Sequence, residues 1–242
     1  MTRAPRDYYE RYWRDGLLVD NTYERWKLER VRRHVAQAPR GARVLDVGCG
    51  DGAVLAALSP LGVRGRGLDV SEEAVARARA RNVDAAQADL DGAPLPVGAG
   101  SADVVLCLDV LEHLFAPDRL LAEMRRALAA GGRLVVAVPN GLNLFNRLAF
   151  LSGRHVDIMD KAHLDGARFS EHLRFFSRQV LEQALGAAGF RPTARDYFFP
   201  ERFGDARFRF IPGLAQLVAR PRLHERMPSM FALAFLFACE PT

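Results

Sequence analysis

The stretch "LDVLEHL" at 108–114 brings two carboxylates and an imidazole to the end of an apolar run. Asp109, Glu112 and His113 stand so close in the chain that a proton taken from a hydroxyl by one of them has a neighbour to orient or steady it. A second imidazole, His172 in "EHLRFFS", comes shortly before Ser177, a residue type that caps helices. Upstream, "VLDVGCGDGAVL" at 44–55 sets Gly48, Gly50 and Gly52 two apart behind Asp46. Glycines in a strand-to-helix turn let the backbone come close to a ligand, and the helix that follows presents N–H groups. Such spacing argues against one ligand class. A dinucleotide turn wants a third glycine at position 53, where this chain has Ala53, so a nicotinamide-dependent oxidoreductase is disfavoured.

These groups need strands and helices to carry them. "ARVLDV" reads as a first strand, "AVLAAL" as the helix after the glycines, "VRGRGLDV" at 63–70 as a second strand and "DAAQADL" as a short third. Ser71 caps a helix, "EEAVARARARN", whose Glu72 and Glu73 suit the positive end of its dipole. "DVVLCLDV" at 103–110 is apolar enough to be covered on both faces. "DRLLAEMRRALAAGG" reads as a helix closed by Gly131 and Gly132, and "RLVVAVPN" as the fifth strand. Strands alternating with helices at this spacing specify right-handed crossovers, hence a doubly wound, Rossmann-like α/β sheet with helices on both faces. "GLNLFNRLAFLSGR" and "SRQVLEQALGAAGF" then read as helices, and "RPTARDYFF" and "FALAFLFACEP" as two last strands. Ahead of the sheet, "TYERWKLERVRRHVAQA" places Trp26, Leu28, Val31 and Val35 near one helical face, so residues 1–40 form a helical cap on a domain at 41–242.

Composition narrows the field further. A chain of 242 residues can bury one large core. Cys49, Cys107 and Cys239 are far apart and form no CxxC, which argues against a disulfide framework and a dedicated zinc site and suits a reducing cytoplasm. "MTRAPRDYYERYWRDG" lacks a signal-type apolar core and "FALAFLFAC" at 231–239 is too short for a bilayer, so a soluble, cytoplasmic protein is expected. The net charge of +5 comes mainly from arginines scattered among acids, which does not favour a nucleic acid partner.

The segment "VLDVGCGDG" resembles the first motif of class I S-adenosylmethionine-dependent methyltransferases. "GLDVS", "ADLDGAPLPVGAGSADVVLCLDVLEHL", "RALAAGGRLVVAVPN" and "HLRFFSRQVLEQALGAAGF" continue the resemblance in order over about residues 42–190. It implies a seven-stranded sheet, mostly parallel with an antiparallel last strand, and S-adenosylmethionine as methyl donor with S-adenosylhomocysteine as product. Contacts to the donor are implied for Asp46, Gly48, Cys49, Gly50, Asp69, Val70, Asp89, Leu90 and Leu108. Asp69 would accept from the ribose hydroxyls, Asp89 would meet the adenine amino group, and Cys49 reads as a small loop residue rather than a nucleophile.

The "LDVLEHL" turn looks like that of ubiquinone-biosynthesis O-methyltransferases and small-RNA 2′-O-methyltransferases, where an acid-x-x-Glu-His turn binds a divalent metal. Here Asp109 replaces the usual glutamate, so a metal held by Asp109, Glu112 and His113 is the weaker alternative. Similar turns work without metal, and three roles stay open for His113: base or orienting group, ligand, or structural residue. His172 resembles a histidine that faces the acceptor pocket in related bacterial enzymes. "RNVDAAQADLDG" and "PNGLNLFNRLAFLSGR" also resemble methionine-biosynthesis W proteins and methyltransferases of polysaccharide and lipid assembly. The acceptor is thus expected to be a small molecule, a sugar or a lipid-linked compound, methylated on oxygen; a noncatalytic S-adenosylmethionine sensor is the alternative. Residues 141–172, with His155 and His163, read as a lid-like segment. Residues 200–229 read as an insertion whose arginines interleave with Phe and Leu, suiting a hydrophobic acceptor, an anionic headgroup or peripheral membrane contact, or else packing on the sheet edge.

Overall fold

Helix α1 (Thr22–Val35) buries Lys27, Val31, His34 and Val35, a row spaced by three and four residues along one face. The expected stripe ran through Trp26 and Leu28, yet both are only partly buried. A lysine and a histidine take inner positions because acids meet them there: Lys27 pairs with Asp109, just past the end of a strand, and His34 bonds Asp196 on another. The computed structural model describes residue 10 and residues 22–153, 172–199 and 222–242.

Seven strands form one sheet: β1 (Arg43–Val47), β2 (Arg64–Asp69), β3 (Asp84–Gln87), β4 (Ala102–Leu108), β5 (Leu128–Pro139), β6 (Phe190–Phe198) and β7 (Ala234–Pro241). Their order is β3-β2-β1-β4-β5-β7-β6. β7 runs antiparallel to β5 and β6, and the other pairs are parallel, as expected for a doubly wound sheet with an antiparallel last strand. The chain travels outward through β2 and β3, then returns to lay β4 on the other side of β1. That reversal opens a crevice beyond the carboxyl ends of β1 and β4, where open sheets of this type bind ligands.

Helices α2 (Ala53–Leu58), α3 (Glu72–Ala80), α4 (Pro117–Ala127), α5 (Leu144–Leu151) and α6 (Arg178–Ala187) follow, with short α7 (Leu223–Arg226) and α8 (Pro228–Phe231) before β7. Strand alternation sorts the core into two layers. Leu45, Val47, Val105 and Cys107 join Leu120, Met124, Leu181 and Leu185 in one, while Val44, Val104 and Leu106 join Val31, Leu55, Leu58 and Val75 in the other. Phe190, Phe235 and Phe237 are fully buried, each contributing about 1.5–3 kcal/mol over an exposed ring.

One boundary differs from the sequence expectation. α4 stops at Ala127, and Leu128 already pairs with Ala102 as β5 begins, with a register shift before Val104. Gly131 is left-handed (φ +74°), and a Cβ on Gly132 would lie 3.0 Å from the carbonyl oxygens of Ala129 and Asp103. Those glycines therefore kink the start of a strand rather than close a helix.

Asn140 builds the corner after β5. Its amide donates to the Ala232 carbonyl at 2.8 Å, and Asn143 caps α5 through the Asn146 N–H at 3.1 Å. α5 has no fully buried side chain, and Leu148, Phe150 and Leu151 are exposed. Of the lid-like segment, 154–171 lie outside the described residues, with His155 and His163; so does 200–221 of the insertion. No described helix is long and apolar enough to cross a membrane.

Candidate active site

The glycine loop between β1 and α2 is left-handed at each glycine, with φ +83° at Gly48, +52° at Gly50 and +75° at Gly52. An L side chain costs about 1–2 kcal/mol in that region. At two of the three positions the close neighbour is the protein itself. A Cβ on Gly48 would fall 2.3 Å from Val110 Cγ2, and one on Gly52 would fall 2.9 Å from Ala78 Cβ and 3.1 Å from Val83 Cγ2. The loop N–H groups are also engaged. Gly48 and Cys49 donate to the Leu68 carbonyl at 2.7 and 3.0 Å, Gly52 to the Cys49 carbonyl at 3.0 Å, and Gly50 to the Asp69 carboxylate at 2.8 Å. The loop is thus strapped to the end of β2. Cys49 packs over Gly67, where a Cβ would meet its Sγ at 2.5 Å, and burial pushes its thiol pKa far up, so it is a packing residue.

Two acids lie beside this loop. Asp46 is 2% exposed and its Oδ1 has no hydrogen-bond partner among the described residues. Burial, reinforced by the charge of Asp69 and opposed by Lys27, pushes its carboxyl up to about 7. Asp69, 8% exposed, accepts from the Ser71 N–H at 2.9 Å on Oδ1 and from Gly50 on Oδ2. Burial raises its pKa against the backbone donors of Ser71, Gly50 and Val70. The carboxylate keeps acceptor capacity beyond these donors. Ser71, not Asp69, caps α3 by accepting the Ala74 N–H at 3.1 Å. Glu10 adds a cap the sequence did not announce, taking the N–H of Glu72 at 2.6 Å and of Glu73 at 3.1 Å. Asp89 turns the chain after β3, its Oδ1 accepting from Asp91 and Gly92 at 3.0 Å each. Leu90 and Leu108 are buried nearby in sequence at the ends of β3 and β4, and Val70 is partly buried.

Across the switch point, β4 ends in a turn that begins at Asp109, itself left-handed with φ +55°. Tyr23 donates its hydroxyl to Asp109 Oδ1 at 2.6 Å, and Lys27 its ammonium to Oδ2 at 2.6 Å. Burial would raise the Asp109 carboxyl, but Lys27, Tyr23 and His113 together hold it below the usual carboxylate range. Lys27 is 7% exposed; burial works against its charge, yet Asp109 and Glu24 outweigh it and raise its pKa above the ordinary lysine value.

Glu112 is the opposite case. It is 0% exposed, neither carboxylate oxygen has a hydrogen-bond partner among the described residues, and burial followed by the charge of Asp109 pushes its pKa well above the usual range. His113 and His172 flank it, with Nε2 atoms 3.8 and 4.0 Å from Glu112 Oε1 and ring centroids 4.7 Å apart. The two histidines expected to matter are therefore neighbours. The Glu112 carbonyl accepts from Leu173 N–H at 2.8 Å and Arg174 N–H at 3.1 Å, and Arg174 donates to the carbonyls of Leu114 and Phe115. Asp91 closes the far end, accepting from Phe115 and Ala116 at 2.8 Å each.

One oxygen of Glu112 and one nitrogen from each histidine lie within 4.8 Å of one another, a mixed N/O set that fits a divalent transition metal. Asp109 does not belong to it. Lys27 and Tyr23 each bond one of its oxygens, and the group beside Glu112 and His113 in this cluster is His172 rather than the Asp109 of the weaker sequence alternative. Sequence reasoning missed Tyr23, Lys27, Asp91 and Arg174. A signal existed for two of them: Tyr23 and Lys27 stand eight and four residues before Val31, on the face that the apolar row defines.

A strapped glycine turn at the switch point, with acids on β1 and at the tip of β2, defines a doubly wound α/β protein of the type that binds ligands beyond the carboxyl ends of its strands. A family described as "Methyltransferase domain" matches residues 19–194, and the chain belongs to it, among the class I S-adenosylmethionine-dependent methyltransferases. It is 33% identical over 175 residues to a "Probable S-adenosylmethionine-dependent methyltransferase" of Mycolicibacterium smegmatis, covering 71% of this chain and 64% of that protein. It is 31% identical over 123 residues to the ubiquinone biosynthesis O-methyltransferase of Xanthomonas axonopodis pv. citri, covering 49% of this chain and 52% of that one. The chain thus spans less than two thirds of the length of either curated relative. An S-adenosylmethionine-dependent methyltransferase from Mesorhizobium loti shares the fold, with TM-score 0.58 at 24% identity over 87% of this chain and 95% of its own.

Proposed function

We propose that this chain transfers a methyl group from S-adenosylmethionine to an oxygen of a small-molecule, sugar or lipid-linked acceptor. The observation that carries the reading is the contact of Val110 with Gly48, which sets the turn bearing Glu112 and His113 directly on the glycine loop. The donor's sulfonium supplies an already activated methyl group, so the chain's own work is to bind, align and manage a proton.

On the loop side, the orphaned Oδ1 of Asp46 suits the donor's ammonium, and the remaining acceptor capacity of Asp69 suits the ribose hydroxyls. Leaving those hydroxyls unpaired in a closed pocket would cost about 1–3 kcal/mol each. Leu90 and Leu108 supply apolar surface for a base, with Val70 and Asp89 at its edge. On the turn side, His113 takes the proton that a hydroxyl loses on methylation, while His172 and Glu112 pack beside the imidazole and orient it. The exposed apolar residues of α5, at the corner that follows β5, support a lipid-linked acceptor. Three buried, free cysteines support a reducing compartment.

The test is transfer of labelled methyl from S-adenosylmethionine to small-molecule and lipid extracts of a deletion strain and its complement. A labelled product that requires the protein, and that His113→Ala abolishes, is expected. Donor binding with no labelled product from any extract would favour the noncatalytic sensor. A second reading rests on the 4.8 Å cluster of Glu112, His113 and His172: a metal held there would lower the pKa of the acceptor hydroxyl. Loss of transfer on chelation, restored by a divalent ion, selects it.

A further inference from the structure

We infer that Lys27 is a positioning residue for this transfer: it commits Asp109 to structure and leaves Glu112 as the carboxyl that faces the two histidines. The inference rests on the functional reading above. Asp109 and Glu112 are acids on one turn, with the same chemistry and opposite surroundings. Both Asp109 oxygens are taken at 2.6 Å, whereas Glu112 has neither oxygen engaged among the described residues. The difference comes from α1, an element distant in sequence.

Position 27 lies in the inward row with Val31 and Val35, where an apolar side chain would pack without the desolvation that an ammonium suffers. A charge kept there does something packing does not. It meets Asp109 in a left-handed conformation that a non-glycine residue holds at a cost, with the Asp109 N–H fixed to the Ala137 carbonyl at 2.9 Å. Next in the chain, Val110 fills the space at Gly48. Lys27 and Tyr23 therefore anchor the entrance of the turn, as Asp91 anchors its exit, and the anchored turn holds the histidine pair, while the glycine loop is held by β2. Glu24 is the ammonium's second partner, at 3.0 Å.

The test uses the full chain carrying Lys27→Met, Lys27→Arg or Tyr23→Phe. Three readouts are compared: S-adenosylhomocysteine affinity by calorimetry, amide exchange of 109–116 against 104–107, and labelled-methyl transfer to the extracts described above. For Lys27→Met the expected result is affinity within about threefold of wild type and exchange at 109–116 at least about tenfold faster, with 104–107 unchanged. Transfer should fall at least about tenfold, and Lys27→Arg should recover a third or more of it. Tyr23→Phe shifts the same readouts less, and decides the matter should Lys27→Met not fold. Unchanged exchange and transfer overturn the inference. So does uniformly faster exchange with an equal loss of affinity, which marks a purely structural lysine. Failure of the wild type to bind S-adenosylhomocysteine defeats the functional reading instead, and the exchange comparison then still judges the anchor.

Discussion

The two sides of the crevice are built differently. The loop side, from Asp46 to Ser71, is made by neighbours in the chain: two strands, a glycine turn and an acid, joined by backbone hydrogen bonds. The turn side gathers Tyr23 and Lys27 from α1, Asp91 from the loop after β3, Glu112 and His113 from the turn itself, and His172 and Arg174 from beyond α5. A locally built side has its geometry fixed by main-chain conformation, and that tolerates little side-chain change. An assembled side can vary its side chains around a fixed donor, which suits a family that transfers one group to many acceptors.

The comparison can be broken most sharply on the turn side. His113→Ala is expected to lower labelled-methyl transfer by about a hundredfold or more, the usual reach of a general base. A loss under about threefold would remove His113 from the chemistry. On the loop side, Gly48→Ala forces a Cβ to 2.3 Å from Val110 Cγ2 at a positive φ. Denaturant unfolding should show a destabilisation of about 2–4 kcal/mol, from backbone strain plus overpacking. Wild-type stability in that variant would mean that the turn moves freely on the loop.

Asp69→Ala is expected to weaken S-adenosylhomocysteine binding at least about tenfold, or about 1.4 kcal/mol. The smallest effect is a pH dependence at Asp46, whose carboxyl is raised to about 7. For the ligand-free fold, its contribution to stability is full below the ordinary aspartate value and is lost as pH rises through about 7. Binding of the ligand's ammonium runs the other way, because it favours the ionised carboxylate. S-adenosylhomocysteine affinity should rise about three- to tenfold between about pH 5.5 and 7.5 and be flat for Asp46→Asn. A flat wild type would show that Asp46 does not meet the ammonium.

The same contrast explains what the sequence revealed. Apolar runs and punctuating glycines announced all seven strands, and "VGCGDG" announced the turn between β1 and α2. The reason for its glycines was less plain: at Gly48 and Gly52 they make room for Val110, Ala78 and Val83, which are distant in the chain. His113 and His172 could be named individually, but their adjacency depends on Arg174 and Leu173 bonding to the far turn. Lys27 was hidden because a helical stripe was read for its apolar members, and a buried cation is intelligible only once its acid is placed. Gly131 and Gly132 looked like a helix end because a kinked strand start uses the same residue type.

Calorimetry with S-adenosylhomocysteine on wild type, Asp69→Ala and His113→Ala tests the division of the crevice most directly. Wild type is expected to bind, Asp69→Ala to bind at least about tenfold more weakly, and His113→Ala to bind as wild type does. Folded wild-type protein that ignores the ligand at millimolar concentration, or a His113→Ala loss equal to that of Asp69→Ala, would contradict that division.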